Sequence, residues 1–253
     1  MPDGTCVFGL VAEDYARYRP GYPAGVLDEL RRVCGMTADW TVADVGSGTG
    51  NLARLFLEAG HQVAGVEPNR EMREAAEGLL AKYPAFCSVN APAESIPLDP
   101  QSIDLITVGQ ALHWFDADKA RAEFLRILRP GGWVAVLWND RLGDATPFTM
   151  EYSAVTNAMA DQRPPLQAAI SPFHTGLDCI FAGLTPHLVS FPHTQRLDLE
   201  GLLGRARSSG FIPQPGEPCH DEFTARMMDL FARHECEGAV EFHYVTRLHC
   251  GHL

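Results

Sequence analysis

The chain has 253 residues, 46% hydrophobic and 21% charged, the balance of a globular protein with one large α/β domain or a core domain carrying a smaller addition. Twenty basic against 32 acidic residues give a formal charge of −12, and such a field opposes a phosphate backbone, whose binding rests on cationic contacts. No Lys/Arg run interrupts it and lysine occurs only at Lys82 and Lys119, so no nucleic-acid partner is expected.

Seven scattered cysteines, an odd number without a C-x-x-C pair, suit a reducing cytoplasm. The first residues, "MPDGTCVFGLVAEDYARYRPGYP", lack the basic and apolar regions of a signal peptide. No apolar run approaches the ~20 residues of a membrane span. The expected setting is therefore cytoplasmic, without a membrane partner.

In chain order, Val26, Leu27, Leu30 and Val33 predict a helix over Pro23–Met36. Thr41–Val45 reads as a strand ending at glycines, and Leu52, Leu55 and Phe56 as one face of a helix stopped by Gly60. His61–Pro68 is the next strand and Asn69–Lys82 the next helix. "AFCSV" and "SIDLITVG" are strands three and four, followed by a helix over Asp116–Leu128, a turn at Arg129–Gly132 and a strand over Trp133–Asn139. Beyond it, Asp144–Ala160 reads as helical, and a Pro-rich passage (Pro164, Pro165, Pro172) leads into a long strand over Leu184–Leu197. Helices over Asp198–Ser208 and Asp221–His234 precede a half-exposed closing strand, Ala239–Cys250, that forms an antiparallel pair at one sheet edge.

Strands alternating with helices specify an α/β, Rossmann-like doubly wound sheet. The expectation is seven strands, mostly parallel with an antiparallel edge strand, plus a cap insertion. One domain would span 1–253: an N-terminal segment and helix over 1–36, an α/β core over 40–140, a cap over 141–220, and a helix with edge strand over 221–253.

In such a sheet ligands sit beyond the carboxyl ends of the strands, where strand order switches. Gly46, Gly48 and Gly50 allow a sharp turn and close backbone approach there, and the loop N–H groups favour an anionic group. Glu67, 21 residues after Gly46, ends the second strand, where a carboxylate can accept from both ribose hydroxyls and repel a 2′-phosphate. A dinucleotide fingerprint would place a third glycine where Asn51 stands.

"DVGSGTGNL" resembles the first motif of the class I S-adenosylmethionine-dependent methyltransferases. "GVEPNREMREAA", "AESIPLDPQSIDLITVGQALHWFD" and "LRPGGWVAVLWN" resemble their later motifs, in order, over residues 40–140. "YARYRPGYP" and "FHYVTRLHCGHL" further resemble a small-molecule branch that includes trans-aconitate methyltransferase-like proteins. The resemblance implies that Asp44, Gly46, Ser47 and Gly48 cradle the methionine part of the cofactor, that Glu67 takes the ribose, and that Pro68 and Met72 flank adenine. Where the family often has D-A-E, this chain has Pro92-Ala93-Glu94, so the contact to the adenine amine passes to Glu94 or to backbone. Gly109 and Gln110 would run close to the methionine moiety.

His113 and Trp114 follow the fourth strand and should stand over the reaction centre, where His113 could serve as a base or merely order its loop. Tyr15 and Arg19 belong to a polar-aromatic segment expected to fold over the cofactor, Tyr15 reaching the methyl site and Arg19 a carboxylate. Asn139 and Arg141 are candidate acceptor contacts, whereas Arg205, Arg207, Ser208 and Ser209 read first as a solvated helix end and second as the kind of cationic group an acidic acceptor would need. The late histidines lack a zinc spacing, so no metal is expected.

The expected function is transfer of a methyl group from S-adenosyl-L-methionine, with S-adenosyl-L-homocysteine as product, to O or N of a small molecule, acidic acceptors included, by a monomer or homodimer. The rivals are an NAD-dependent oxidoreductase on the same fold, against which Asn51 argues, and a non-catalytic S-adenosylmethionine-binding module. A different reaction of the bound cofactor, such as cyclisation, is a further alternative.

Overall fold

The computed structural model describes residues 12–160, 173–209 and 212–253. Helices α1 (Ala12–Tyr18) and α2 (Gly25–Cys34) precede the sheet. Then follow β1 (Thr41–Val45), α3 (Asn51–Glu58), β2 (Gln62–Val66), α4 (Arg70–Leu80), β3 (Phe86–Val89) and β4 (Ile103–Gly109). A 3-10 turn at Leu112–Trp114 leads to α5 (Ala117–Ile127) and β5 (Leu128–Arg141). The remainder comprises α6 (Pro147–Ala160), α7 (Phe173–Phe181), β6 (His187–Leu197), α8 (Leu199–Arg207), α9 (His220–His234) and β7 (Val240–Gly251).

The seven strands form one sheet in the order β3-β2-β1-β4-β5-β7-β6. The first five pair in parallel, and β7 runs antiparallel to both β5 and the outermost β6. Strand order switches between β1 and β4, and the crevice beyond their carboxyl ends is the place for a ligand in an open α/β sheet.

Alternate residues of the central strands feed opposite cores. Ala43, Val45, Ile106 and Val108 join Phe124 and Ile127 of α5 and Ile180 of α7. Val42 and Leu105 join Leu30 of α2 and Leu52 and Phe56 of α3 on the other face. A third cluster, with Phe148, Leu202, Phe223, Met227 and Phe242, holds α6, α8 and α9 against the end of β7. Several helix starts follow from side-chain caps: Asn69 accepts from Met72 N–H, Asp116 from Lys119 N–H and Asp198 from Gly201 N–H.

Two local features depart from the expectations. The predicted turn at Arg129–Gly132 lies inside β5: Ile103 pairs with Leu128 and Leu105 with Trp133, so the intervening residues loop out as a bulge where Gly131 adopts a φ of 79°. The second is α7, a helix absent from the sequence reading. Its Leu177, Ile180 and Phe181 enter the core, and Ala182 and Gly183 turn left-handed after it, so β6 begins only at His187. The prolines 164, 165 and 172 lie outside the described residues. Among the described residues no helix is long and apolar enough to cross a membrane.

Candidate active site

The residues expected to contact the cofactor or the acceptor, Arg207 and Ser208 apart, line one cavity of about 480 Å³ at the carboxyl ends of β1, β2, β4 and β5. It is built from parallel-strand register outward. Asp44 and Thr107 are cross-strand partners in β1 and β4, buried to 1% and 0% exposure, and Thr107 Oγ1 donates to Asp44 Oδ1 at 3.0 Å. Asp44 Oδ2 is buried and has no hydrogen-bond partner among the described residues. Burial, opposed by the Thr107 bond, pushes this carboxyl up to about 7.

Glu67 stands one strand over, just past the end of β2. Gly48 N–H donates to its Oε2 at 2.9 Å and Asn69 N–H to its Oε1 at 2.8 Å. Burial raises its pKa while these two amides oppose the rise. A carboxylate offers about four lone-pair sites, so two amides leave capacity for a ligand.

The glycine loop is tied to the same strand, since Gly46 and Ser47 N–H both donate to Val66 O, at 2.9 and 3.1 Å. Gly46 is needed twice over. Its φ is 68°, and a Cβ there would lie 2.5 Å from that of Ala111. Met72 and Ala93 are buried walls, while Glu94 Oε1 accepts from Asp116 N–H at 2.7 Å. Gln110 holds a left-handed φ of 57°, fixed by its N–H to Leu137 O and its Nε2 to Asn139 O, both at 3.0 Å. A non-glycine residue in that region costs about 1–2 kcal/mol, borne where the surroundings fix it.

His113 sits in the 3-10 turn, its ring edge-on to Trp138 at 5.2 Å and tilted against Trp114 at 4.8 Å. Its Nδ1 is buried with no hydrogen-bond partner among the described residues, and burial pushes its pKa down to about 4. The imidazole is therefore neutral at neutral pH, an acceptor rather than a cation, and a poor general base.

The N-terminal segment lines the cavity and docks on the cap. Tyr18 Oη donates to Glu200 at 2.7 Å, Arg207 Nε donates to Asp14 at 2.7 Å, and Arg19 reaches Ser208 through Nε and Nη2 at 3.0 and 2.8 Å. The Tyr18 ring occupies the space over Gly204, where any Cβ would lie 2.1 Å from it. Gln195 Nε2 donates to Tyr18 O, and Asn139 Nδ2 donates to Gly21 O at 3.2 Å. Asn139 Oδ1 accepts from Thr246 at 2.6 Å, so both ends of this amide brace the wall. The Tyr15 ring lies under the Arg19 guanidinium at 4.8 Å.

Arg205 corrects an expectation. It reads from the sequence as a solvated helix arginine, yet it is only 7% exposed and turns into the cavity, with Nε donating to Tyr244 Oη at 3.3 Å. Arg207 is drawn away to Asp14 instead. Arg141 joins Arg205 in the cavity, on the Tyr152 ring at 5.1 Å and bonded to Ser153. Sequence reasoning missed Thr107, Trp138 and Tyr244. Thr107 left a trace as the lone hydroxyl in "DLITVG", whereas Tyr244 arrives from the far end of the chain through β5–β7 pairing with Arg141.

Residues 43–136 match the family model described as a methyltransferase domain. The chain is 39% identical over 139 residues to an uncharacterized methyltransferase of Mycobacterium tuberculosis, which covers 55% of this chain and 54% of that protein. It thus spans about half the length of the curated relatives it matches. Among solved structures, it is similar over 92% of its length to 97% of a candidate type II methyltransferase from Anaeromyxobacter dehalogenans, with a TM-score of 0.68 at 21% identity. It is also similar, over 95% of its length and 57% of the other chain, to a phosphoethanolamine N-methyltransferase of Haemonchus contortus solved with S-adenosylhomocysteine, with a TM-score of 0.53 at 18% identity. The Rossmann-like methyltransferase fold is thereby borne out, and the matched segment contains the glycine loop, Asp44 and Glu67.

Proposed function

We propose that this chain transfers the methyl group of S-adenosylmethionine to an oxygen or nitrogen of a small acceptor, releasing S-adenosylhomocysteine. One observation carries the reading. Two buried carboxylates end adjacent parallel strands in a single cavity, Asp44 with an unpartnered oxygen and Glu67 preset by two backbone amides. An orphaned buried acceptor suits a ligand ammonium, and a cation beside it returns the Asp44 carboxyl to its ionised form. A ribose diol suits Glu67. The narrow φ-positive loop at Gly46–Gly48 admits the methionine part, with Ser47 and Gln110 beside it, while Pro68, Met72, Ala93 and Glu94 border the adenine.

Bound S-adenosylmethionine supplies a methyl carbon activated by its sulfonium, and the thioether leaves without needing a proton. This chain's residues therefore act chiefly by holding the acceptor in line and excluding water. Tyr15, Arg19, Trp114 and Asn139 would bound the acceptor. Neutral His113 would accept a hydrogen bond from a hydroxyl or amine acceptor through its unpartnered Nδ1, orienting the attacking lone pair rather than removing the proton.

The test is the Glu67→Ala variant, assayed by calorimetry for S-adenosylhomocysteine binding. Affinity should fall by roughly tenfold or more, the cost of about 1.4 kcal/mol or greater expected for losing a charge-assisted hydrogen bond. Unchanged affinity removes Glu67 from the ribose.

A further inference from the structure

Far from Asp44 and Glu67 in sequence, three arginines from three different elements meet the same cavity: Arg19 after α1, Arg141 at the end of β5 and Arg205 on α8. Most surface arginines of this acidic chain pair with a carboxylate, as in Arg32–Glu29, Arg126–Glu123 and Arg233–Glu151. Among the described residues none of these three does. Their partners are neutral: Ser208 and the Tyr15 ring for Arg19, Ser153 and the Tyr152 ring for Arg141, and the Tyr244 hydroxyl for Arg205. Each guanidinium carries five N–H donors, yet among the described residues Arg205 uses only Nε and Arg141 only Nη1.

Burial, then the charge of Arg205, pulls Arg19 down to about 10, and burial also lowers Arg141. Burial opposes the charge on Arg205 as well, but the hydroxyls of Tyr244 and Tyr152 outweigh it and hold Arg205 above its ordinary value. All three stay cationic at neutral pH. Gathering like charges away from water is costly unless an anion joins them, and an arginine fork matches a planar or tetrahedral oxyanion.

We propose that Arg19, Arg141 and Arg205 form an oxyanion subsite that receives a carboxylate or phosphate of the methyl acceptor. The subsite is assembled only when the N-terminal segment docks on α8, because Arg19 is held there by Ser208 while Arg205 lies one turn earlier on the same helix. Acceptor binding then pins the segment down. The proposal rests on the methyl-transfer reading for the identity of the ligand as acceptor, while the anion subsite itself is testable without it.

The experiment titrates benzoate, phenyl phosphate and neutral benzamide into the full chain, with and without saturating S-adenosylhomocysteine. It follows binding by calorimetry and amide exchange over residues 12–22. At least one anion should bind more than tenfold tighter than benzamide, weaken as salt rises, and slow exchange in that segment. Preference for benzoate or for phenyl phosphate identifies the oxyanion. Arg205→Met and Arg141→Met should each lose at least tenfold in anion affinity, with Arg205→Lys recovering part of it. A cooperative thermal melt like that of wild type shows that a variant is folded. Equal binding of benzamide and both anions, or an anion affinity unchanged in both folded Met variants, overturns the subsite. Should S-adenosylhomocysteine fail to bind while the anion arms behave as described, the methyl-transfer reading falls and the subsite stands.

Discussion

Asp44 shows how a single buried group can trade stability for binding. Its carboxyl is raised to about 7, so the stability it contributes is full at acid pH, below the ordinary carboxylate range, and is lost as pH rises through 7. At pH 8 the ionised group, with one oxygen unsatisfied, is a net cost. Asp44→Asn should therefore melt higher than wild type at pH 8, with the gap closing toward pH 5, while binding S-adenosylhomocysteine roughly tenfold or more weakly. In the wild type, S-adenosylhomocysteine affinity should fall as pH drops below 7 and the ligand's ammonium meets a protonated carboxyl. Thermal melts and calorimetry across pH 5–8 read both, and a lower melting point for the variant at pH 8 contradicts the assignment. His113 behaves oppositely: held down to about 4, it is already neutral, so a turnover profile should show no His113 titration between pH 5.5 and 8. His113→Gln, which keeps an acceptor, should preserve the shape of that profile. Asp44 and Glu67 were legible in the sequence because each ends an apolar strand at a fixed distance from the glycines. The burial of Arg205 was not, since a helix arginine reads the same whether its face meets water or a cavity, and only the docking of the N-terminal segment decides.

Among the elements, the contact between α1 and α8 fixes the N-terminal segment beside the cavity. It combines a bidentate Arg207–Asp14 pair, the Tyr18–Glu200 hydrogen bond and a ring laid directly on Gly204. Gly204→Ala inserts a methyl into that ring and should destabilise the docking by about 1–3 kcal/mol. Faster amide exchange in residues 12–22, with little change in S-adenosylhomocysteine affinity, is the expected result; unaltered exchange would show that α1 is held by other means. The elements of the core follow their sequence periods closely, because strands buried on both faces are continuously apolar and helices carry clear apolar stripes and caps. The late region is less transparent. Only nine residues long and lying close after Pro172, α7 gives too short a period to distinguish a helix from a loop. The bulge at Arg129–Gly132 reads as a turn because both use the same Pro-Gly chemistry; only pairing across β4 and β5 tells them apart.

Across the whole molecule, strand order places the switch point between β1 and β4 and collects Asp44, Glu67 and three arginines into one cavity. A chain of net charge −12 thus gathers three cationic side chains in its interior cavity. Asn51, at the first position of α3, stands where a dinucleotide loop would present its third glycine, and it lines the cavity. A cavity made for S-adenosylmethionine and not for a dinucleotide takes one ligand and refuses the other. Calorimetric titration of the full chain with S-adenosylhomocysteine and, separately, with NAD separates the two cases. S-adenosylhomocysteine should bind with micromolar affinity, about −8 kcal/mol, and NAD should give no detectable heat; tight NAD binding with no response to S-adenosylhomocysteine would overturn the methyl-donor assignment.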